Sequence, residues 1–384
     1  MKKQKTRLLI VSRKEPFYLV RAINRQKYDI YVLGVGNQRV ALSRYCSGFT
    51  SCKEEDLVNP KAKIKRGINN ACKEWGIDFI IPLDSVSTFC VAKLIDSIET
   101  PIFPSVKLNK LLLLNNKWKF SKLLKKSKIS HPKTLLIKSA REFERIKMAK
   151  PFILKPVSMD GGVGVVKITS EKDLFEYKKL NFPYPLIAQE FIQGTDIDLS
   201  LFAKEGKIIA WTAQKWDAKG ILKFIRNNKM AQIGKSIVRQ INYTGAAHFD
   251  MRMDKKTGKI YVIECNPRLW GSINASILSG IDFVQIGLEG TGRISIGNQK
   301  NLSYELPSLI VKKSLTNPFY LFEASHVSQK DFLLIVRDPL PYTIIAFEVL
   351  FNTGLKKSIL LGQKLSFAFA SSLNFLRLTS SYQN

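Results

Sequence analysis

Acidic residues are scarce in this chain. Only 31 Asp and Glu stand against 61 Lys and Arg in 384 residues, which leaves a net charge of +30. Most of the surplus is lysine, spread along the whole length. It reads as a solvated basic surface, or as attraction to a polyanion such as nucleotide phosphates or an anionic membrane. No basic stripe is interleaved with aromatics, and no zinc-finger or RNA-binding signature is present, so no specific nucleic-acid partner is expected. The five cysteines, Cys46, Cys52, Cys72, Cys90 and Cys265, are odd in number and form no CxxC pair. That speaks against a disulfide frame or a cysteine zinc site and points to reduced thiols in a cytoplasmic protein. No apolar run approaches the roughly 18–20 residues that a spanning helix needs. The short apolar run near the start reads as a first strand, not as a signal-peptide core. The turn after it, "SRKEPF", has no GxGxxG, so a dinucleotide site there is not expected.

What is present suggests two or three domains, with a hydrophobic content of 45% that can fill real cores. Residues 6–105 alternate strand and helix signals. "RLLIV" (7–11), "YDIYVLGV" (28–35) and "IDFIIPL" (77–83) read as strands, with helices through "FYLVRAIN" (17–24) and "TFCVAKLID" (88–96). This alternation predicts a parallel sheet with crossover helices. Residues 106–147 are helical at first and then, past Pro132, turn to a strand. From Lys150 to about Gly271, short strands joined by turns such as "KEGK" and "KKTGK" predict antiparallel hairpins. After about residue 285 the signals weaken. The apolar stretch 338–376 is broken by Glu348, Lys356, Lys357 and Lys364. It reads as helices packed on the body or as a basic amphipathic segment on a membrane surface.

Three stretches carry chemistry. In "HFDMRMDKKTGKIYVIECNPRLWGS", a hairpin brings Asp250 beside Glu264 and Asn266, with Arg268 on the same alternation. Converging oxygen donors of this kind suit Mg²⁺, whereas Glu264 buried alone at a strand end would be costly. In "PFILKPVSMDGGVGVVKI", Lys155 precedes Gly161, Gly162 and Gly164, whose backbone can approach phosphate oxygens. No GK[ST] or helix follows, so this is not a P-loop. By itself the loop is equally a flexible hairpin turn, and Lys155 by itself is a surface lysine. In "PLIAQEFIQGTDIDLSLF", Glu190, Phe191 and Ile192 run into Gly194, Asp196 and Asp198. Such a linker can give adenine an apolar slot, backbone hydrogen bonds and a carboxylate, and it can equally be a strand–turn–strand with solvated acids.

Taken in order, these motifs resemble the ATP-grasp superfamily over residues 1 to roughly 290. The branch that contains the carbamoyl-phosphate synthase large chain, biotin carboxylase and short ligase homologues is the one they resemble most. "VIECNPRLWGS", with an acid fourteen positions before Glu264, is the most specific element, and "SRYCSGF" and "GIDFIIPLDSVS" also look like the short homologues. The resemblance implies an α/β, Rossmann-like pre-ATP-grasp domain over 1–105. An α+β ATP-grasp domain with antiparallel sheets follows over 106–290, with a small lid subdomain at about 130–190 and a larger one at about 191–290. Residues 291–384 form a C-terminal segment of unassigned role.

The resemblance also implies roles. Lys117 matches a lysine that touches ATP phosphates, Lys155 one that reaches the α-phosphate and adenine side, and Gly161, Gly162 and Gly164 the loop over the triphosphate. Glu190, Phe191 and Ile192 match the adenine linker, and Asp196 sits where a ribose-binding Glu is common. Asp250, Glu264 and Asn266 match the metal ligands, for Mg²⁺ or Mn²⁺. Arg268 matches the arginine at the transferred phosphate. The function implied is an ADP-forming ligase that joins a carboxylate to an amine or thiol through an acyl phosphate. The alternatives are an inactive ATP-binding sensor or scaffold and a kinase on the same fold. His248, two residues before Asp250, either faces the substrate or is structural; His131 and His326 read as structural. The basic segment 211–243, with Lys215, Lys223, Arg226, Lys229 and Arg239, is expected to line the acceptor side. The partners expected are small carboxylate and amine substrates, with peripheral contact to an anionic membrane and oligomerisation also open.

Overall fold

The computed structural model describes residues 4–103, 107–159, 161–290 and most of 302–341. The apolar stretch 342–376, read above as body-packed or membrane-lying, is outside the described residues.

The first part is a parallel sheet of β1 (Thr6–Ser12), β2 (Tyr28–Val35), β3 (Gly48–Cys52) and β4 (Phe79–Pro82), in the order β3-β2-β1-β4. Four helices accompany it: α1 (Phe17–Ala22), α2 (Glu54–Val58), α3 (Ala62–Trp75) and α4 (Ser85–Lys93). The apolar run of β1 is buried on both faces, as a parallel sheet covered on both sides requires. Leu8 and Ile10 pack with Leu19 and Val20 of α1, while Leu9 and Val11 pack with Ile64 and Ile68 of α3. Asp84 caps α4 through a reciprocal capping box with Ser87. This matches the parallel sheet expected for the first hundred residues.

After α5 (Leu108–Asn115) and α6 (Lys117–Lys126) comes a small antiparallel sheet of order β5-β8-β6-β7. Its members are β5 (Thr134–Ile137), β6 (Phe152–Pro156), β7 (Val166–Ile168) and β8 (Leu186–Glu190), with α7 (Ala140–Phe143) and α8 (Glu171–Lys179) on one face. Phe152 and Leu154 join the core beneath those helices, with Phe143 and Tyr177. Alternation then turns Lys155 to the opposite face.

The larger sheet has the order β13-β12-β9-β10-β11-β14. It consists of β9 (Gly194–Lys204), β10 (Lys207–Trp216), β11 (Ile221–Ile225), β12 (Gly245–Asp254), β13 (Ile260–Asn266) and β14 (Ser303–Glu305). Odd residues of β9, Ile197, Leu199 and Leu201, pack under α5, α6 and α9 (Asn228–Gln240). Even residues Asp196, Asp198 and Ser200 occupy the other face. Further along that face Phe202 packs with Phe103 and with α10 (Ile273–Leu278) and α11 (Phe283–Glu289). At Gly194 an added Cβ would lie 1.9 Å from the Met253 carbonyl oxygen, so the start of β9 admits only glycine.

One departure from simple alternation decides the site. Val262 and Glu264 are two residues apart and would share a face in a regular strand. The pairing shifts, Asp250 opposite Glu264 but Met251 opposite Val262, so a bulge inserts Ile263. Val262 and Cys265 therefore enter the core, and Glu264 turns to the opposite face beside Asp250. The hairpins at 204–207 and 255–259 form as expected. Within 150–271, however, α8 and α9 take stretches expected as strand or turn.

The described residues between 302 and 341 contribute to the body. β14 pairs with β11, and beyond α12 (Tyr320–Glu323), α13 (His326–Val336) buries Asp331 completely. Arg21 Nε and Nη2 donate to its two oxygens at 2.6 and 3.1 Å, and Tyr304 Oη and Asn274 Nδ2 donate to Oδ2 at 2.6 and 3.1 Å. Removing one partner of such a pair leaves an unpaired charge and costs about 3–5 kcal/mol. Asp331→Ala should lower unfolding stability by that amount in urea titration, and truncation after Lys330 by at least as much. A loss under 1 kcal/mol would contradict this account of the C-terminal helix.

Candidate active site

Two lysines from different parts of the chain meet one carboxylate. Lys117 opens α6, whose N-cap Asn116 accepts from the Lys119 amide. Its amide donates to Val157 O at 2.9 Å and its Nζ to Met159 O at 2.5 Å, which ties it to the start of the glycine loop. Lys155 comes from the open face of the small sheet. Their Nζ atoms lie 3.6 and 3.3 Å from Glu264 Oε2. Burial alone would push the Glu264 carboxyl up, but the two lysine charges and its hydrogen bonds outweigh burial and hold it at about 2. Burial pushes Lys155 below the usual lysine value, an effect the Glu264 charge opposes. In the loop beyond Met159, Gly161, Gly162 and Gly164 all have positive φ, between 66 and 74°.

Beside Glu264 the sheet presents a row of polar side chains. Asp250 lies between Glu264 on β13 and Asp198 on β9 in register. Asn266 Nδ2 donates to Asp250 Oδ2 at 3.3 Å, and Asn266 Oδ1 accepts from Arg268 Nη2 at 3.2 Å. Arg268 Nε also donates to Ser85 Oγ at 2.7 Å, at the start of α4. The site thus reaches the helix that follows β4 of the parallel sheet. The buried Tyr18 phenol there is pushed up by burial, and Arg268 pulls against that shift. His248 sits with Nε2 3.1 Å from Asp250 Oδ1 and Nδ1 2.8 Å from Ser200 Oγ. Its burial favours the neutral ring, but the Asp250 and Asp198 carboxylates outweigh this and raise it. Asp198 is pushed up to about 7, by burial first and then by Asp250 and Asp196, against His248 and Gln214.

Lys117, Lys155, Asp250, Glu264, Asn266 and Arg268, all chosen from sequence, therefore converge. The linker residues stand in a second group. Phe191 has Lys167 Nζ 4.5 Å and the Arg252 guanidinium 5.0 Å from its ring centre, and Ile192 is buried. Asp196 accepts from Arg252 Nη1 at 2.6 Å, so its carboxylate is already engaged. The Glu190 carboxylate accepts from the Lys133 amide at 3.0 Å and is turned toward the small sheet. His131 Nδ1 lies 2.8 Å from Ile129 O and takes no part in this cluster.

The basic residues expected to line the acceptor side are placed differently. Lys229 and Arg239 lie on α9, which covers the apolar face of the sheet, opposite the polar row. Lys223 pairs with Asp217 at 2.9 Å. Sequence reading gave no role to Ser85, Ser200, Arg252 and Gln214. Ser200 was within reach, because "DIDLS" puts Asp196, Asp198 and Ser200 on one face.

The donor set fits a hard divalent cation. Asp250, Glu264 and Asn266 offer oxygens side by side, and Glu264 is held ionised. Glu264→Gln would leave Lys117 and Lys155 buried without their anion. It should cost about 2 kcal/mol of nucleotide-free stability at neutral pH with the fold retained, as read by denaturant titration and circular dichroism. No change in stability would show that the two ion pairs are not formed in solution.

Residues 114–272 match the family model described as the ATP-grasp domain. The D-alanine–D-alanine ligase of Rickettsia typhi is 22% identical over 270 residues, covering 61% of this chain and 83% of that protein. The carbamoyl phosphate synthase large chain of Thermoanaerobacter is 23% identical over 219 residues, 50% of this chain but 20% of that one. Among solved structures, the N5-carboxyaminoimidazole synthetase from Staphylococcus aureus complexed with ADP superposes with a TM-score of 0.66. It is 17% identical, with 82% of this chain and 87% of that chain covered. The L-amino acid ligase from Bacillus licheniformis has a TM-score of 0.57 at 18% identity, with 75% and 74% covered. A parallel sheet followed by antiparallel sheets is the arrangement expected from the sequence, and residues 114–272 of this chain are similar to the ATP-grasp domain.

Proposed function

We propose that this protein is an ATP-dependent, ADP-forming ligase that joins a small carboxylate to an amine or thiol. The observation that carries the reading is the convergence of Lys117 and Lys155 on Glu264 beside Asp250 and Asn266. Two buried ammonium groups next to a glycine loop suit polyphosphate oxygens, and the carboxylate row suits the accompanying Mg²⁺.

The residues then divide the work. Lys117, with the backbone amides of Gly161, Gly162 and Gly164, cradles the phosphates, and Lys155 neutralises charge from the small sheet. Glu190, Phe191 and Ile192 hold the base, which requires the Glu190 carboxylate to leave the Lys133 amide. Asp250, Glu264 and Asn266 would hold Mg²⁺, which when bound neutralises charge on the transferring phosphoryl group. Arg268, steadied by Ser85 and Asn266, faces the group in transfer. The substrate carboxylate attacks the γ-phosphate to give an acyl phosphate and ADP, and the acceptor displaces phosphate. The chain supplies position and charge and needs no covalent nucleophile of its own. The ligase names among the relatives, D-alanine–D-alanine ligase and L-amino acid ligase, support this class.

Incubation with ATP, Mg²⁺ and a panel of amino acids and other carboxylates tests it. ADP with free phosphate and a joined product is expected. ADP with a phosphorylated substrate would make the protein a kinase, and no ADP with any candidate would leave an ATP-binding module. Glu264→Gln should abolish Mg²⁺-dependent ADP release, a fall of at least a hundredfold, or about 2.7 kcal/mol in the barrier. Unchanged turnover in that variant would remove the metal assignment.

A further inference from the structure

We propose a second cation site, built by Asp198, His248 and Asp250, that takes a divalent transition ion such as Mn²⁺ or Zn²⁺ in the absence of nucleotide. The three side chains share one face of the large sheet. Asp198 and Asp250 are direct cross-strand partners, and His248 is two residues before Asp250. One ligand atom from each lies within 4.8 Å of the other two. Asp198 and His248 are 4 and 5% exposed.

Charge balance is the first argument. Two carboxylates lie side by side in a poorly solvated row. Among the described residues no lysine or arginine pairs with either; the ion-pair partner of Asp250 is His248. Glu264, by contrast, has two lysines. A cation between the two carboxylates would let both stay ionised in this row, where burial and mutual repulsion otherwise oppose it.

The second argument is the direction of the donor atoms. The Asp250 carboxylate has two sides. Oδ2 accepts from Asn266 Nδ2 at 3.3 Å, toward the Glu264 end. Oδ1 faces His248 Nε2 at 3.1 Å, toward the Asp198 end. His248 Nδ1 meets Ser200 Oγ at 2.8 Å, and the ring stacks on Trp270 at 5.8 Å with an interplanar angle of 18°. With Nδ1–H donating to Ser200, Nε2 is the nitrogen left to meet a cation, the orientation that supporting contacts give to metal-binding imidazoles. Gln214, the neighbour of Asp198 on β10, adds a buried Oε1 without a hydrogen-bond partner. One imidazole nitrogen with two carboxylates favours a borderline transition ion over Mg²⁺ or Ca²⁺. Asp250 would then lie between two cations, one oxygen toward each.

The test uses the full chain, stripped with chelator and free of nucleotide. Mn²⁺ is titrated while the free-ion paramagnetic resonance signal and tryptophan fluorescence, sensitive to Trp270 beside the site, are followed. One Mn²⁺ per chain is expected to bind. Asp198→Asn and His248→Gln should each weaken it at least tenfold, whereas Glu264→Gln should change it less than threefold. Ser200→Ala, a milder change that keeps all three ligands, should weaken it severalfold and serves if either other variant fails to fold. The proposal is overturned if the wild-type chain binds no Mn²⁺ without nucleotide, in which case a proton on His248 balances the pair. It is equally overturned if binding depends on Glu264 and not on Asp198. Because no nucleotide is present, these outcomes are independent of whether ADP-forming ligation is observed.

Discussion

The carboxylate of Glu264 is the point on which the centre of this molecule depends. It is a single anion gripped by two lysines that arrive from the entry of α6 and from the open face of the small sheet. Without it, two ammonium groups would sit together in a space that water scarcely reaches, and each would repel the other. With it, the small sheet is tied electrostatically to the large one, and the glycine loop is drawn in through the Met159 carbonyl. In the function proposed above, the polyphosphate of a nucleotide takes over the same lysines and frees Glu264 for a cation.

That grip exists because of one irregular residue. The Ile263 bulge lets β13 bury Val262 and Cys265 and still present Glu264 to the polar row. A polar row across three strands needs each strand in the right phase. β9 and β12 keep phase by strict alternation, and β13 reaches it by a slip. The same row carries both charge regimes: Glu264 is flanked by two lysines and held ionised, whereas burial pushes Asp198 and Asp250 toward neutrality, helped by Asp250 in the first case and by Glu264 in the second.

Much of this was legible in the residues. The alternation of "DIDLSL" and "HFDMRM" fixes which side chains share a face, and turn residues such as "KKTG" mark the hairpins, so the acidic pair and its neighbours could be placed without coordinates. The parallel sheet followed from short apolar runs separated by helical spacing. Other features depend on partners far away in the chain. No local pattern reveals the bulge, because the phase of β13 is set by β12 and by the core beneath. Nothing near Ser85 announces that Arg268 will reach it across 183 positions. The basic residues of 228–240 read as substrate-facing because their charge was visible and the burial of Met230, Ile237 and Val238 was not. The helix α8 had a local signal, the Ser170–Asp173 capping box, in a region where strand patterns dominated.

The buried bond between Arg21 and Asp331 spans 310 positions of sequence. During synthesis at about 5–20 residues per second, the first helix of the protein would wait roughly 15–60 s for its acidic partner to emerge. Until then α1 can pack on the first sheet, but its guanidinium has no buried anion, and Tyr304 and Asn274 gain theirs only when α13 docks. Among the described residues, α13 thus completes the surroundings of α1, and the first sheet gains its last covering contact only after the two antiparallel sheets have been made.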